Sequence, residues 1–463
     1  MQINPAIFKS YDIRGAYPTE LNEEMAYKIG QAYTKLFNPH QDEKHTGKVA
    51  VGMDVRTHSP QIREALIKGL TDAGVDVLDV GLISTEMIYF AVGYYHASGG
   101  IQVTASHNPA EFNGFKMVRE DVVPISSDNG IFEMRDMILE GKEQIKGEKE
   151  GSVEKKDILD DFAYYLKDNF GEYWRQEDIK PLKVVINPNF GFEGEVIKYI
   201  VNKFNLPLTL IGLNDQPDGT FPKGRPDPFL PENRPEFLAL VKKEQADLGV
   251  TWDADADRVF FAAPSGRFID PYFMNALLIE EILENREKGQ KIVYDPRYTW
   301  ALIDAAKKHG ATAVMERVGH SFIKARMRQE NAIFSGESSG HTYFRDFFFA
   351  DGGALPLMIV LEKISTSAKD LDQLLAPYFA SYHISGEINS TVKDAKKILA
   401  ELQNRYKDAE ISLLDGLTIE YPDWRASIRS SNTEPLLRLN VEGKTPEVVE
   451  RQRDELLSII KAE

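Results

Sequence analysis

Val49-Ala50-Val51-Gly52-Met53-Asp54 is a short apolar run rich in β-branched residues; a polar turn follows, and from Ile62 to Leu70 apolar residues recur at helical spacing. The reading is strand, loop, helix. A second apolar run, Val75-Asp76-Val77-Leu78, then supplies the next strand. The same order recurs twice along the chain. Val184-Val185-Ile186-Asn187 leads into Val196 to Val201 and then Leu208-Thr209-Leu210-Ile211, and Ile292-Val293-Tyr294-Asp295 leads into Leu302 to Ala306 and then Ala313-Val314-Met315. Triplets of this kind also arise by chance in α/β chains, but the shared order favours divergent repeats. Their βαβ grammar predicts an α/β protein whose three related domains carry mixed, largely parallel sheets.

Each repeat continues into a third apolar segment that ends in an unusual polar loop. Gly100-Ile101-Gln102-Val103 precedes Thr104-Ala105-Ser106-His107-Asn108-Pro109, Leu248 to Trp252 precedes Asp253 to Arg258, and Ala332-Ile333-Phe334 precedes Gly336 to His341. Ligands of open α/β sheets bind beyond the carboxyl ends of the strands, so these loops are the expected functional surface. A charged, apolar-poor stretch from Glu140 to Lys156 marks a boundary, and after about residue 378 the pattern changes. Helical spacing from Val392 to Tyr406, short strands near Ile411 and Leu417, Arg438 to Val441 and a last helix predict a smaller α+β domain. The expected divisions are 1–152, 153–263, 264–378 and 379–463.

Length and composition agree with several folded domains: 463 residues exceed one ordinary core, and 42% hydrophobic with 27% charged residues is a globular balance. A formal charge of −17 argues against nucleic-acid or anionic-membrane partners, which need a basic face. The absence of cysteine excludes disulfides, thiolate metal sites and a cysteine nucleophile. The start Met1-Gln2-Ile3-Asn4-Pro5 lacks the features of a secretory signal, and no apolar run approaches the ~18 residues of a membrane span, so a cytoplasmic location is expected.

The loops differ in what they can do. In the first, Pro109 disfavours helical backbone at Asn108, and Ser106 is expected to be presented to a ligand rather than buried. A serine hydroxyl needs a base, a metal or a preformed phosphoester to react; otherwise Ser106 and Asn108 merely bond the local backbone. In the second loop, Asp253, Asp255 and Asp257 alternate, and three carboxylates so close repel unless a cation such as Mg²⁺ neutralises them. An EF-hand is excluded, because Arg258 and Pro264 stand where it requires Gly and Glu. The third loop sets Glu337, Ser338, Ser339 and His341 around Gly336 and Gly340, which suits sugar hydroxyls or a structural histidine about equally. A fourth turn, Arg429-Ser430-Ser431-Asn432-Thr433-Glu434-Pro435, clusters a guanidinium, hydroxyls and an amide, donors that suit a phosphate dianion.

Taken in order from Tyr11-Asp12-Ile13-Arg14-Gly15 to the Arg429 turn, these residues resemble the α-D-phosphohexomutase family, and within it the bacterial phosphomannomutases. The resemblance implies three related α/β domains and a smaller fourth one around a central cleft. It implies that Ser106 carries a phosphoryl group and joins Asp253, Asp255 and Asp257 on Mg²⁺. Glu337 and Ser339 would hold sugar hydroxyls, with Arg297 and His320 as further substrate contacts. Arg429, Ser431, Asn432 and Thr433 would grip the non-reacting phosphate. Arg14, Lys116, Arg258 and His341 match positions that line the reacting phosphate or assist proton transfer. The implied reaction moves phosphate between O6 and O1 of a hexose, mannose first, with a hexose 1,6-bisphosphate as intermediate and activator, in a monomer or homodimer. Phosphoglucomutase and phosphoglucosamine mutase are the rivals of the same fold; a metal-dependent phosphatase and a catalytically silent sugar-phosphate binder are rivals of other classes. Two positions depart from the family: Ala254 stands where glycine is common, and Ser338 where methionine often occurs. The first makes the backbone of the aspartate loop a specific question, since alanine adopts positive φ only at a cost.

Overall fold

A computed structural model describes residues 3–39, 44–173, 175–284, 286–430 and 436–461. Two compact units make up the chain: Met1–Ile269 with Ser339–Leu371, and Asp270–Ser338 with Asp372–Glu463.

The first unit contains two sheets built from the first two repeats. Strand Lys48–Met53 pairs in parallel with Asp76–Leu82 on one side and Gly99–Val103 on the other. Strand Leu182–Asn187 does the same with Leu208–Gly212 and Leu248–Trp252. The connecting helices, Ser59–Asp72 and Glu193–Lys203, contain the predicted helical stretches. Each third strand then reverses into an antiparallel neighbour, Phe112–Arg119 in the first sheet and Val259–Ala262 in the second. Both reactive loops therefore lie in the turn where a fully buried strand doubles back. The sheets run past the expected divisions. Val153–Lys155 pairs with Asp76–Leu82, and Phe268–Ile269 pairs with Val259–Ala262, because backbone pairing rather than composition ends a sheet.

Helix Glu23–Phe37 packs on Ser59–Asp72 through two glycines. A Cβ at Gly30 would stand 2.7 Å from the Leu66 carbonyl oxygen, and one at Gly69 would stand 2.3 Å from that of Tyr27, so only glycine permits this approach. Beneath the pair, Met25, Ile29, Ile62, Leu66, Val49, Val51 and Ile101 form a closed apolar core.

The third repeat opens the second unit, with Lys291–Tyr294 parallel to both Thr312–Met315 and Phe334–Gly336, and helix Trp300–Lys308 between. The chain beyond forms an antiparallel sheet in which Leu436–Gly443 pairs with His383–Ile384, Ile388–Thr391 and Trp424–Ser430. Helices Ala395–Arg405 and Pro446–Lys461 cover it, burying Ile398, Leu402, Trp424, Leu439 and Leu456. This is the predicted α+β arrangement, with strand Trp424–Ser430 added. No helix among the described residues is long and apolar enough to cross a membrane.

Candidate active site

The serine turn is fixed from below by a side chain the sequence did not flag. Arg56 is buried, and its guanidinium spends all five N–H groups: Nε on Asp54, Nη1 on the carbonyls of Pro109 and Phe112, Nη2 on those of Ser106 and Asn108. Ser106 itself has φ of 51°, a left-handed conformation costing a non-glycine residue roughly 1–2 kcal/mol. The clamp holds the turn against that cost. Contrary to expectation, Ser106 is buried in this state, because its hydroxyl donates to Asp253 Oδ2 at 2.7 Å and lies 3.0 Å from His107 Nδ1.

Asp253, Asp255 and Asp257 are all buried, with one oxygen from each lying within 4.8 Å of the others. Asp253 is anchored on both oxygens, its Oδ1 accepting from the Arg258 amide at 3.2 Å, whereas Asp255 and Asp257 are each anchored on one. Asp253 Oδ2 takes the serine; Asp255 Oδ2 takes Lys116 Nζ at 2.7 Å, Thr85 Oγ1 at 2.7 Å and Thr104 Oγ1 at 3.1 Å; Asp257 Oδ2 takes Lys116 and lies 3.4 Å from His341 Nε2. The Oδ1 atoms of Asp255 and Asp257 are buried without a hydrogen-bond partner. Bare carboxylate oxygens out of water are costly, and hard oxygen donors in this number fit a small divalent cation. Ala254 is spared the strain foreseen for it: the left-handed residue of the loop is Ala256, at φ 60°.

The charges around the cluster are set by burial and by each other. Burial pushes Asp253 up, and the charges of Asp257 and Asp255 add to this. For Asp257 burial is outweighed by Lys116, His341 and Arg258, which hold it well below the usual carboxylate range. Burial likewise opposes the charge on Lys116, yet Asp255, Asp257 and Asp253 keep it a firm cation. His107 is held neutral by burial and by the cations Arg258, Arg14 and Arg225, and its Nδ1 accepts from Arg258 Nη2 at 2.5 Å. Of these cations Lys116 and Arg258 pair with the three carboxylates, while Arg14 pairs with Asp12 and Arg225 with Asp227, and two carboxylate oxygens stay open to further positive charge.

The other expected residues divide between the two units. Arg14 reaches the serine turn, donating Nη1 to Asn108 Oδ1 at 2.9 Å while Nε bonds Asp12. Ser339 Oγ lies 3.0 Å from His341 Nδ1, placing both beside Asp257. In the second unit, Arg297 grips Asp295 through Nε at 2.9 Å and Nη2 at 2.8 Å, and Nη2 lies 3.7 Å from Glu337 Oε1. Glu337 Oε1 also accepts from the Gly319 amide, the residue before His320 at the start of helix His320–Glu330. Ser338, the second departure, donates its amide to Asp295 Oδ2 at 3.0 Å. Arg429 lies on strand Trp424–Ser430 and meets Glu387 at 3.2 Å and Asp415 at 3.5 Å. Ser431, Asn432 and Thr433 lie outside the described residues. Arg425, also missed, donates to the carbonyls of Pro296 and Arg297 and so supports the Arg297 turn. His107 and Thr104 were legible inside the quoted loop. Arg56, Thr85 and Arg425 sit where nothing in the local sequence announces a role.

Four family models match in order: phosphoglucomutase/phosphomannomutase alpha/beta/alpha domain I over residues 5–144, domain II over 160–266, domain III over 270–382 and the C-terminal domain over 387–459. A phosphomannomutase from Escherichia coli is 41% identical over 461 residues, spanning 98% of this chain and 99% of that protein. A protein of Xanthomonas campestris pv. campestris named phosphohexose mutases is 41% identical over 437 residues, 94% of each. Among solved structures, a phosphoglucomutase/phosphomannomutase family protein from Burkholderia thailandensis superposes with a TM-score of 0.87 at 30% identity, covering 100% of this chain and 98% of that one. With all four domains matched in order and relatives 41% identical over nearly the whole length, the chain that carries this serine turn and aspartate loop belongs to the phosphoglucomutase/phosphomannomutase family.

Proposed function

We propose that this phosphohexomutase interconverts mannose 6-phosphate and mannose 1-phosphate through a phosphoryl group on Ser106 and a hexose 1,6-bisphosphate. The observation carrying this reading is the 2.7 Å bond from the Ser106 hydroxyl to Asp253 inside the three-aspartate cluster. It puts the hydroxyl of a strained, clamped turn against carboxylates that would hold a divalent cation. Asp253, Asp255 and Asp257, with an oxygen on Ser106, would hold Mg²⁺, which supplies charge withdrawal from a phosphoryl oxygen.

The chain's own groups account for the rest. In the first transfer the bond from phosphorus to Ser106 Oγ breaks as a bond to the sugar hydroxyl oxygen forms; the serine oxygen regains a proton and the sugar hydroxyl loses one. The second transfer reverses this at the other end of the sugar, so the cycle is neutral in protons and phosphate. Lys116 and Arg258 offset charge on the in-line transition state, and Arg14 holds the Asn108 side of the turn. His341 is assigned to proton transfer. Arg297, His320, Glu337 and Ser339 are assigned to the sugar, and Arg429 with Ser431, Asn432 and Thr433 to the distal phosphate. We further assign the four divisions to a serine, a metal, a sugar and a phosphate domain, in a cytoplasmic monomer or homodimer activated by hexose 1,6-bisphosphate.

The test is intact-mass analysis and peptide mapping of the purified chain, followed by turnover of mannose, glucose and glucosamine 1-phosphates with and without the bisphosphate. One phosphoryl group on Ser106 and fastest turnover of the mannose ester are expected. Steady release of inorganic phosphate would instead make the chain a phosphatase.

A further inference from the structure

Asp255 is the most heavily restrained of the three aspartates, and the restraint is one-sided. Its Oδ2 receives Thr85 Oγ1, Thr104 Oγ1 and Lys116 Nζ, while its Oδ1 is buried with no partner. The Thr85 amide also donates to the Asp255 carbonyl at 2.8 Å, so one residue fixes both backbone and side chain of this position. Thr85 is itself buried and is the first residue of helix Thr85–Tyr94, whose N-terminal partial positive charge faces the acidic loop. Thr104 is committed elsewhere as well, since its hydroxyl accepts from the Ser106 amide at 2.9 Å.

We infer that Thr85 is a positioning residue that sets the specificity of the cation site by holding Asp255 as a one-oxygen ligand; this rests on the metal-site reading proposed above. A carboxylate whose second oxygen is tied to hydroxyl donors offers a single oxygen to a cation. Mg²⁺ accepts that geometry in its tight octahedral shell, whereas Ca²⁺ is larger and readily takes both oxygens of one carboxylate. Removing the Thr85 hydroxyl leaves Oδ2 held only by Lys116 and by the longer bond from Thr104, which widens the range of carboxylate orientations and weakens the small ion more than the large one. Outer-sphere partners of metal ligands typically contribute about 10–100-fold to affinity.

The experiment is calorimetric titration of the full-length chain with Mg²⁺ and separately with Ca²⁺, for the wild type and the variants Thr85→Val, Thr85→Cys and Thr85→Ser. The Val and Cys variants should bind Mg²⁺ at least about tenfold more weakly, with the Mg²⁺:Ca²⁺ preference shifted toward Ca²⁺, and Ser should restore both. The Cys variant keeps a side chain of similar size, so it decides the matter if Val does not fold. An unchanged Mg²⁺:Ca²⁺ preference in the Cys variant overturns the inference, as does a Ser variant that fails like Cys. Wild-type protein that binds neither ion overturns the metal-site reading itself, a result distinct from both.

Discussion

Ser106 and Asp253 are separated by 147 residues of chain, yet the serine hydroxyl donates to the aspartate at 2.7 Å. Two repeats have each delivered the loop after their third strand to one point, a serine hydroxyl from the first and a carboxylate from the second. If Ser106 is the phosphoryl carrier, Ser106→Ala should remove the covalently bound phosphate and lower bisphosphate-dependent turnover by at least about a thousandfold, since removal of a covalent nucleophile is not made good by its neighbours. Intact mass and a coupled mutase assay read both quantities. Retention of turnover in the Ala variant would remove Ser106 from the cycle.

That meeting point was legible because the chemistry sits in short sequence stretches at strand ends, where short apolar runs give way to clustered polar residues. The repeat was legible for the same reason. What could not be read was the support. Arg56 acts on four carbonyls spread from Ser106 to Phe112, and backbone acceptors have no sequence signature. Thr85 looks like an ordinary helix start until Asp255 is beside it. Ser106 is buried, against expectation, because the carboxylate that covers it comes from the second repeat. Strands Val153–Lys155 and Phe268–Ile269 extend their sheets past the divisions drawn at 152 and 263, and pairing of a two- or three-residue strand leaves almost no compositional trace.

Lys116 is the internal counter-ion of the aspartate cluster, bonded to Asp255 at 2.7 Å and to Asp257. Lys116→Met should leave two buried carboxylates less compensated, and breaking a buried ion pair from one side costs about 3–5 kcal/mol. The variant should melt well below the wild type without metal. Added Mg²⁺ should recover more of the melting temperature in the variant than in the wild type, because the cation then supplies charge that Lys116 no longer does. Thermal melts of both proteins with chelator and with Mg²⁺ test this; equal Mg²⁺ shifts would show that the ion binds away from the cluster.

Arg56 offers a cleaner separation of folding from chemistry. Lysine brings three donors at one point where the guanidinium brought five in a plane, so Arg56→Lys must leave at least two of its five acceptors unserved. Each buried acceptor left unpaired costs about 1–3 kcal/mol, which predicts a loss of more than about 2 kcal/mol in urea unfolding. With the Ser106 turn no longer clamped at positive φ, phosphorylation of Ser106 by the bisphosphate should slow far more than KM for the monophosphate changes. A variant that loses stability but phosphorylates at the wild-type rate would make Arg56 purely structural.

The last prediction concerns two carboxyl groups below the site. Glu86 and Glu193 are both buried and each feels the other's charge, and Glu86 Oε2 accepts from the Gly353 amide at 2.8 Å and the Ala354 amide at 3.2 Å. Burial pushes Glu86 up to about 7, against the two amides that favour its charge; burial and the neighbouring Glu86 charge push Glu193 up as well. A carboxyl with a raised pKa in the folded state keeps a proton that the unfolded chain has already released near pH ~4.5, so the folded form binds more protons over that interval. Its contribution to stability is therefore complete below about pH 4.5 and lost as pH rises through about 7. Glu86→Gln keeps an acceptor for the Gly353 and Ala354 amides but cannot ionise. Urea unfolding should give nearly equal stabilities for wild type and variant at about pH 5, and a more stable variant at about pH 8. Curves that stay parallel across that range would mean that the pair is already ionised in the folded protein and draws its compensation from elsewhere.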